Sequence, residues 1–185
     1  MADLVAAMVQ ETRLRVSSEP RWKDQPFTTL YLGGGTPSIL PPDLLQHLVS
    51  GVLEALGQPV TDFREVTLEA NPEDMTETQI QAWVELGVTR LSLGVQSFHN
   101  DTLTWMNRAH TGVQAERAIH LAHELGVKAM TLDLIYGVPT SRSWDNDIAR
   151  AIALPIQHLS AYALTVEPGT VLGTRVERGA EQPAP

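Results

Sequence analysis

The sequence predicts an α/β fold built on five parallel strands. Three observations carry that reading. First, short apolar runs alternate with longer segments of helical spacing along the 185 residues. Strands separated by helices pair in parallel, because a crossover of that length returns the chain in the same direction. Second, "TETQ…ELGVTRLSLG" and "TGVQ…ELGVKAMTLD" repeat one unit: a cap, a helix, a Glu-Leu-Gly-Val stop and a strand. Third, polar residues gather at the ends of the strands, where parallel α/β folds collect their chemistry.

Taken in order, Ala2–Val16 reads as a helix with no strand before it. Leu4, Val5, Met8 and Val9 lie on one side of it. Phe27–Leu32 is a short apolar strand that runs into Gly33, Gly34 and Gly35. Asp43–Leu56 carries apolar residues at Leu44, Leu45, Leu48, Val52 and Leu56, opened by Pro41 and Pro42 and closed by Gly57. That spacing is helical. Glu65–Ala70 is the second strand. Thr76 and Gln79 have the spacing of a capping box, and the helix behind them stops at Gly87. Arg90–Gln96 is the third strand. Thr111 and Gln114 form a second capping-box pair, with a helix ending at Gly126. Lys128–Tyr136 is the fourth strand, a helix runs from near Ser143 to Pro155, and His158–Leu164 is the fifth strand. Residues 173–185 are polar and proline-containing and read as a linker or frayed tail. The expected organisation is one domain over residues 1–172 and a tail over 173–185.

Composition narrows the function classes. Net charge is −9, and no cluster of Lys and Arg marks a nucleic-acid surface. No apolar run approaches the ~18 residues of a membrane span. The opening residues carry an acid at Asp3 and no basic segment of the secretory kind, so a cytoplasmic location is the expectation. There are no cysteines, which leaves no disulfide, no thiolate metal site and no cysteine nucleophile.

The strand ends bring together Gly33–Thr36, Glu69 and Asn71, Gln96 and Ser97, Asp133, and Tyr162 with Thr165. A glycine loop, two acids, amides and hydroxyls on one rim suit a small polar ligand. Each part has a plainer reading. The glycines serve a tight turn; Glu69 or Asp133 is a cap or salt-bridge residue; Gln96 and Ser97 are turn residues. The glycine stretch fits neither a Walker loop nor a G-x-G-x-x-G fingerprint, because Thr36, Pro37 and Ser38 follow Gly35. His120 and His123 share a helix face without a third ligand nearby in sequence, and read as surface histidines rather than a metal site. Trp83 and Trp105 read as packing residues.

Five ordered stretches carry a resemblance: "YLGGGTPSIL", "TLEANPEDMT", "RLSLGVQSFHNDTLTWMNRAHT", "LDLIYGVPTSRSWDND" and "HLSAYALTVEPGT". In order and spacing they resemble the radical S-adenosylmethionine (SAM) proteins of the oxygen-independent coproporphyrinogen oxidase group. "NRAHT" and "SAYALTVEPGT" look more like the haem chaperone branch than the oxidase branch. The resemblance runs from about Leu4 to Glu177. It implies an open (β/α)6 barrel that binds SAM at its rim. In this chain that barrel is incomplete, with five parallel strands and without the first strand and its cluster loop. Gly34, Gly35 and Thr36 match the family's glycine motif at the methionine amino group. Glu69, Gln96, Arg108 and Asp133 match positions that contact SAM. Arg108 on a helix surface is the plainer alternative. The resemblance also implies a [4Fe–4S] cluster held by a Cys-x3-Cys-x2-Cys loop, haem or porphyrin as a bound partner, and haem-accepting proteins as recipients. This sequence has none of those cysteines, so it resembles the centre of such a protein with both ends absent. The expectation is a piece of a longer protein; a short protein that binds SAM or haem without a cluster, or an inert remnant, is the alternative. A missing first strand would leave Phe27–Leu32 as an exposed apolar edge and the piece prone to aggregate.

Overall fold

A computed structural model describes residues 1–19, 22, 26–139 and 144–182. Its centre is one parallel sheet whose five strands lie in sequence order: β1 (Thr29–Leu32), β2 (Glu65–Ala70), β3 (Arg90–Gln96), β4 (Ala129–Tyr136) and β5 (His158–Ala163). Right-handed crossovers that always step the same way put all their helices on one side of the sheet. The sheet therefore curls as a barrel wall and has no switch point at which the strand order reverses. β1 and β5 are its two edges, so the wall is open.

The crossover helices are α2 (Pro42–Leu56), α3 (Glu77–Glu85), α5 (Gly112–Glu124) and α6 (Trp144–Ile152), with α1 (Ala2–Ser18) packed on α2 and a short α4 (Asn100–Trp105) before α5. The start of α6 expected near Ser143 lies outside the described residues. The expected strands fall within a residue or two of their observed bounds. Gly57 ends α2 in the left-handed region, with φ 66°, a conformation that costs a side-chain-bearing residue more than glycine.

The core lies between the sheet and this helical layer. Val66, Leu68, Leu91, Leu93, Val95, Met130, Leu132 and Leu134 on the strands meet Leu45, Ile80, Trp83, Ala115 and Ile119 on the helices, all buried. The other face of the same strands is polar: Thr67 and Glu69 on β2, Arg90, Ser92 and Gln96 on β3, Thr131 and Asp133 on β4. At the amino end of this inner face Arg90 donates to Glu65 at 3.2 Å and to the Thr131 hydroxyl. Thr67 donates to Glu65 at 2.8 Å, and this bond, followed by the Arg90 charge, holds the Glu65 carboxyl below its ordinary range.

Four expectations need correction. The Thr111–Gln114 capping box forms completely, but at Thr76 only half of the box does. Thr76 accepts from the Gln79 backbone, while Gln79 Oε1 is buried without a partner. On α1 only Val5 and Val9 are buried; Leu4 is 63% exposed and Met8 43%, because α1 touches the domain along one narrow stripe. The expected tail at Gly173 starts inside a helix, α7 (Val171–Glu177), which Thr170 caps by accepting from Gly173 N–H at 2.9 Å. The rim residue Ser97 turns away from the inner face, as described below.

Candidate functional site

The carboxyl ends of β1 to β4 surround a cavity of about 270 Å³. Gly35, Thr36, Glu69, Gln96, Arg108 and Asp133 all line it, together with Asn71, Ser92 and Gly94. Gly34 stands beside it and acts through its backbone: its N–H donates to Glu69 Oε2 at 3.1 Å, while Tyr31 Oη donates to Glu69 Oε1 at 2.8 Å. Glu69 thus ties the glycine loop to the end of β2. The loop needs its glycines for two different reasons. Gly34 and Gly35 have φ of 84° and 125°, which L side chains rarely adopt. At Gly33 a Cβ would lie 2.5 Å from the Tyr31 ring and 2.8 Å from the Glu69 carboxyl, so the Tyr31–Glu69 contact excludes one.

Gln96 reaches the cavity through a distortion. The β3–β4 register shifts between Leu93 and Gln96, and Gln96 has φ 68° although it is not glycine. Such an outlier costs of order 1–3 kcal/mol and persists only where its surroundings enforce it. The bulge aims Gln96 inward and sends Ser97 outward. Ser97 Oγ donates to the buried Asp147 on α6 at 2.8 Å, and Phe98 N–H donates to the other oxygen of Asp147 at 2.8 Å. Arg150, one turn further along α6, donates to the Phe98 carbonyl at 2.9 Å and lies over its ring. The loop after β3 is therefore clamped from behind.

Arg108 follows α4, in the loop before α5, and is half-buried rather than on a helix surface. Its Nη2 donates to Asn71 Oδ1 at 2.6 Å and to the Gly94 carbonyl at 2.9 Å. Its Nε is buried and has no hydrogen-bond partner among the described residues. Gly94 leaves room for this: a Cβ there would lie 3.0 Å from Asn71 Oδ1 and 3.0 Å from Gln96 Nε2. Opposite stand the acids. Burial, then the nearby Glu69 charge, pushes the Asp133 carboxyl above its ordinary range, against hydrogen bonds from Ser160 and Ser92 and the pull of His158. Burial and the bond to Glu69 likewise raise the Tyr31 phenol. The cavity thus sets a cation against two carboxylates. That is the complement of an amino acid's carboxylate and ammonium.

Two further cavities adjoin it. One, of about 230 Å³, continues down the inner face past Ser92 and Asp133 to His158, Ser160 and Tyr162. The other, of about 660 Å³, meets it at Gln96 and Arg108 and is walled by Ile135, Leu164, Trp105, Met106 and Leu172. Thr165, expected at the rim, is exposed and lines neither cavity. Asn71 lines the cavity, as its place at the strand end predicts. Ser92 and Gly94 are site residues that the sequence reading passes over; their signal is the period-2 spacing with Gln96, which puts all three on one face. His120 and His123 are exposed on α5.

The radical SAM superfamily profile matches residues 6–152. The chain belongs to the radical SAM superfamily. It is 40% identical over 149 residues to the haem chaperone HemW of Escherichia coli K12, covering 80% of this chain and 39% of that protein. It is 35% identical over 179 residues to the mitochondrial radical S-adenosyl methionine domain-containing protein 1 of Bos taurus, covering 95% of this chain and 38% of that one. Among solved structures it superposes on the coproporphyrinogen III oxidase HemN of E. coli with a TM-score of 0.78 and 25% identity, over 90% of this chain and 38% of that one. The chain thus spans about two fifths of the length of the curated relatives it matches.

Membership implies two groups, SAM and a [4Fe–4S] cluster, and the residues present fit them differently. The Arg108 guanidinium, with Glu69 and Asp133 in the same cavity, fits the zwitterionic end of SAM. Cluster ligation takes thiolates, and none of these 185 residues is a cysteine. These residues supply no ligand to a cluster, and no step through one is derived from them.

Proposed function

We propose that this chain is the SAM-binding core of a haem chaperone of the HemW kind. The observation that carries the reading is a single cavity lined by the Arg108 cation and by the carboxylates Glu69 and Asp133. A ligand carboxylate beside the guanidinium gains charge-assisted hydrogen bonds. Glu69 and Asp133 then lie near the ammonium and hydroxyl groups of the ligand, and Gly35 and Thr36 line the approach. The adjoining cavity past Gln96, with Ile135 and Leu164 in its wall, has the apolar surface a purine ring takes. Bound SAM, reduced by an iron–sulfur cluster in family members, supplies a carbon radical; the residues here bind and orient it. The chaperone is favoured over the oxidase by the curated haem chaperones at 34–40% identity, against 25% for the oxidase structure. Haem as cargo and haem-accepting proteins as recipients follow from that preference.

Isothermal calorimetry with SAM tests the site. Binding is expected, weakened about tenfold or more by Glu69→Ala, the loss typical of a hydrogen bond to a charged group. No heat at millimolar SAM overturns the site assignment. Haem added to the same protein tests the cargo separately: a Soret shift is expected, and an unchanged spectrum overturns the chaperone half of the reading alone.

A further inference from the structure

Two residues beyond Arg108 lies His110, whose side chain is fully buried. Both of its ring nitrogens face acceptors. Nδ1 is 2.8 Å from Glu73 Oε2, and Nε2 is 3.1 Å from the Val95 carbonyl oxygen. A carbonyl can only accept, so Nε2 carries a proton. The Glu73 side chain is 29% exposed and reaches water, which favours its ionised form. A carboxylate also only accepts, so Nδ1 carries a proton too. A neutral imidazole has one N–H, and this geometry uses two.

The contacts of this ring have a common feature. Glu73 lies in the turn Pro72–Asp74, directly after Asn71, which accepts from Arg108. Val95 precedes Gln96, the residue with positive φ. His110 itself ends the short loop that carries Arg108. The loop's far side is fixed as well, because Gly112 N–H donates to Asn100 at 3.0 Å and a Cβ at Gly112 would strike the Phe98 backbone. One imidazole therefore bridges the backbone segments of Asn71, Gln96 and Arg108. We propose that His110, as an imidazolium donating to Glu73 and to the Val95 carbonyl, is the positioning residue that holds these three in register for the carboxylate end of the ligand. The proposal rests on the SAM reading for the ligand, though not for the state of the ring.

Other charges near the ring are already engaged. Asp74, in the same turn as Glu73, accepts from Ser38 Oγ at 2.7 Å; Arg108 is turned to Asn71 and Gly94; Glu116 on α5 accepts from Arg150 at 2.9 Å. β3 brings the Val95 carbonyl to the ring. Glu73 is thus the group that holds the second proton.

The variant Glu73→Gln separates positioning from mere packing. An amide can donate to Nδ1, so a neutral ring satisfies both contacts and the second proton is not needed. SAM affinity is measured by calorimetry in the wild type, in E73Q and in Glu73→Ala. E73Q keeps both ring contacts and is expected to bind SAM as the wild type does, whereas E73A loses the Nδ1 partner and is expected to bind about tenfold more weakly. Equal binding by E73A, or no rescue by E73Q, overturns the proposal. Nitrogen-15 NMR of ligand-free protein reads the ring independently of SAM. Two His110 ring N–H protons are expected in the wild type and one in E73Q; one in the wild type overturns the proposal even if SAM binds. Two ring protons with no SAM binding leave the imidazolium standing and overturn the SAM reading instead.

Discussion

The outer and inner faces of β2, β3 and β4 are made by alternate residues of the same strands, yet they do opposite work. The outer face, with Leu68, Leu91, Leu93, Leu132 and Leu134, is sealed under helices. The inner face, with Glu69, Ser92, Gln96 and Asp133, is open to cavities. A parallel strand covered by helices on both sides reads as a continuous apolar run. The alternating strand "RLSLGVQ" is therefore informative in itself. It says that one side of the parallel sheet has no helical layer, which a barrel wall satisfies and a doubly wound sheet does not.

The largest expected effect breaks this contrast from the outside. Leu91→Ala removes a fully buried side chain from the outer face. Such truncations cost about 2–5 kcal/mol, which lowers the melting temperature by about 5–15 °C in a chain of this size. Ser92→Ala, its neighbour on the inner face, removes a hydroxyl that lines the cavity and is expected to cost about 1 kcal/mol or less. Thermal denaturation of the two variants side by side checks the ratio. Equal losses would mean that the inner face is packed rather than open.

The two faces were also unequally legible in the sequence. Apolar runs, capping pairs and glycine stops placed the strands within a residue or two, because each rests on local chemistry that tertiary contacts reinforce. The strand ends marked Glu69, Gln96 and Asp133 for the same reason. What the sequence hid depends on contacts between distant segments. Ser97 looked like a rim residue, and the bulge at Gln96 reversed it toward Asp147 on α6. The Arg108–Asn71 pair joins residues 37 apart, and so does the His110–Glu73 pair; no spacing rule announces either. Helix α7 was hidden differently. The polar, proline-containing composition of residues 173–185 reads as a tail, but Gly173 packs against the Glu167 carbonyl inside the helix, which leaves no space for a Cβ.

On the inner face itself, Arg108→Lys sharpens the distinction between charge and geometry. Lysine keeps the cation but loses the planar fork, one nitrogen of which holds Asn71 and the Gly94 carbonyl. SAM affinity is expected to fall about tenfold by calorimetry, with a melting temperature within about 2 °C of wild type, because the surrounding core is untouched. A fall in both together would recast Arg108 as a structural strut.

The smallest expected effect has opposite signs in its two readouts. Burial, then the charge of Glu69, raises the carboxyl of Asp133 in the folded protein. Above the carboxylate range Asp133 is ionised in both states, and the folded state carries the cost of that buried charge. As pH falls through the raised folded value, the folded state takes up the proton first and the cost disappears. Asp133→Asn deletes the charge while keeping the shape. Ligand-free D133N is expected to melt on the order of 2 °C above wild type at neutral pH, with the gap closing as pH falls toward about 4. In the same protein SAM affinity is expected to fall, because the lost charge is one that faces the ligand's cationic end. Stability gained where function is lost is what a charge kept for a ligand predicts. A D133N protein that melts lower at neutral pH would instead make Asp133 a structural acceptor for Ser160 and Ser92, and leave Glu69 as the cavity's working anion.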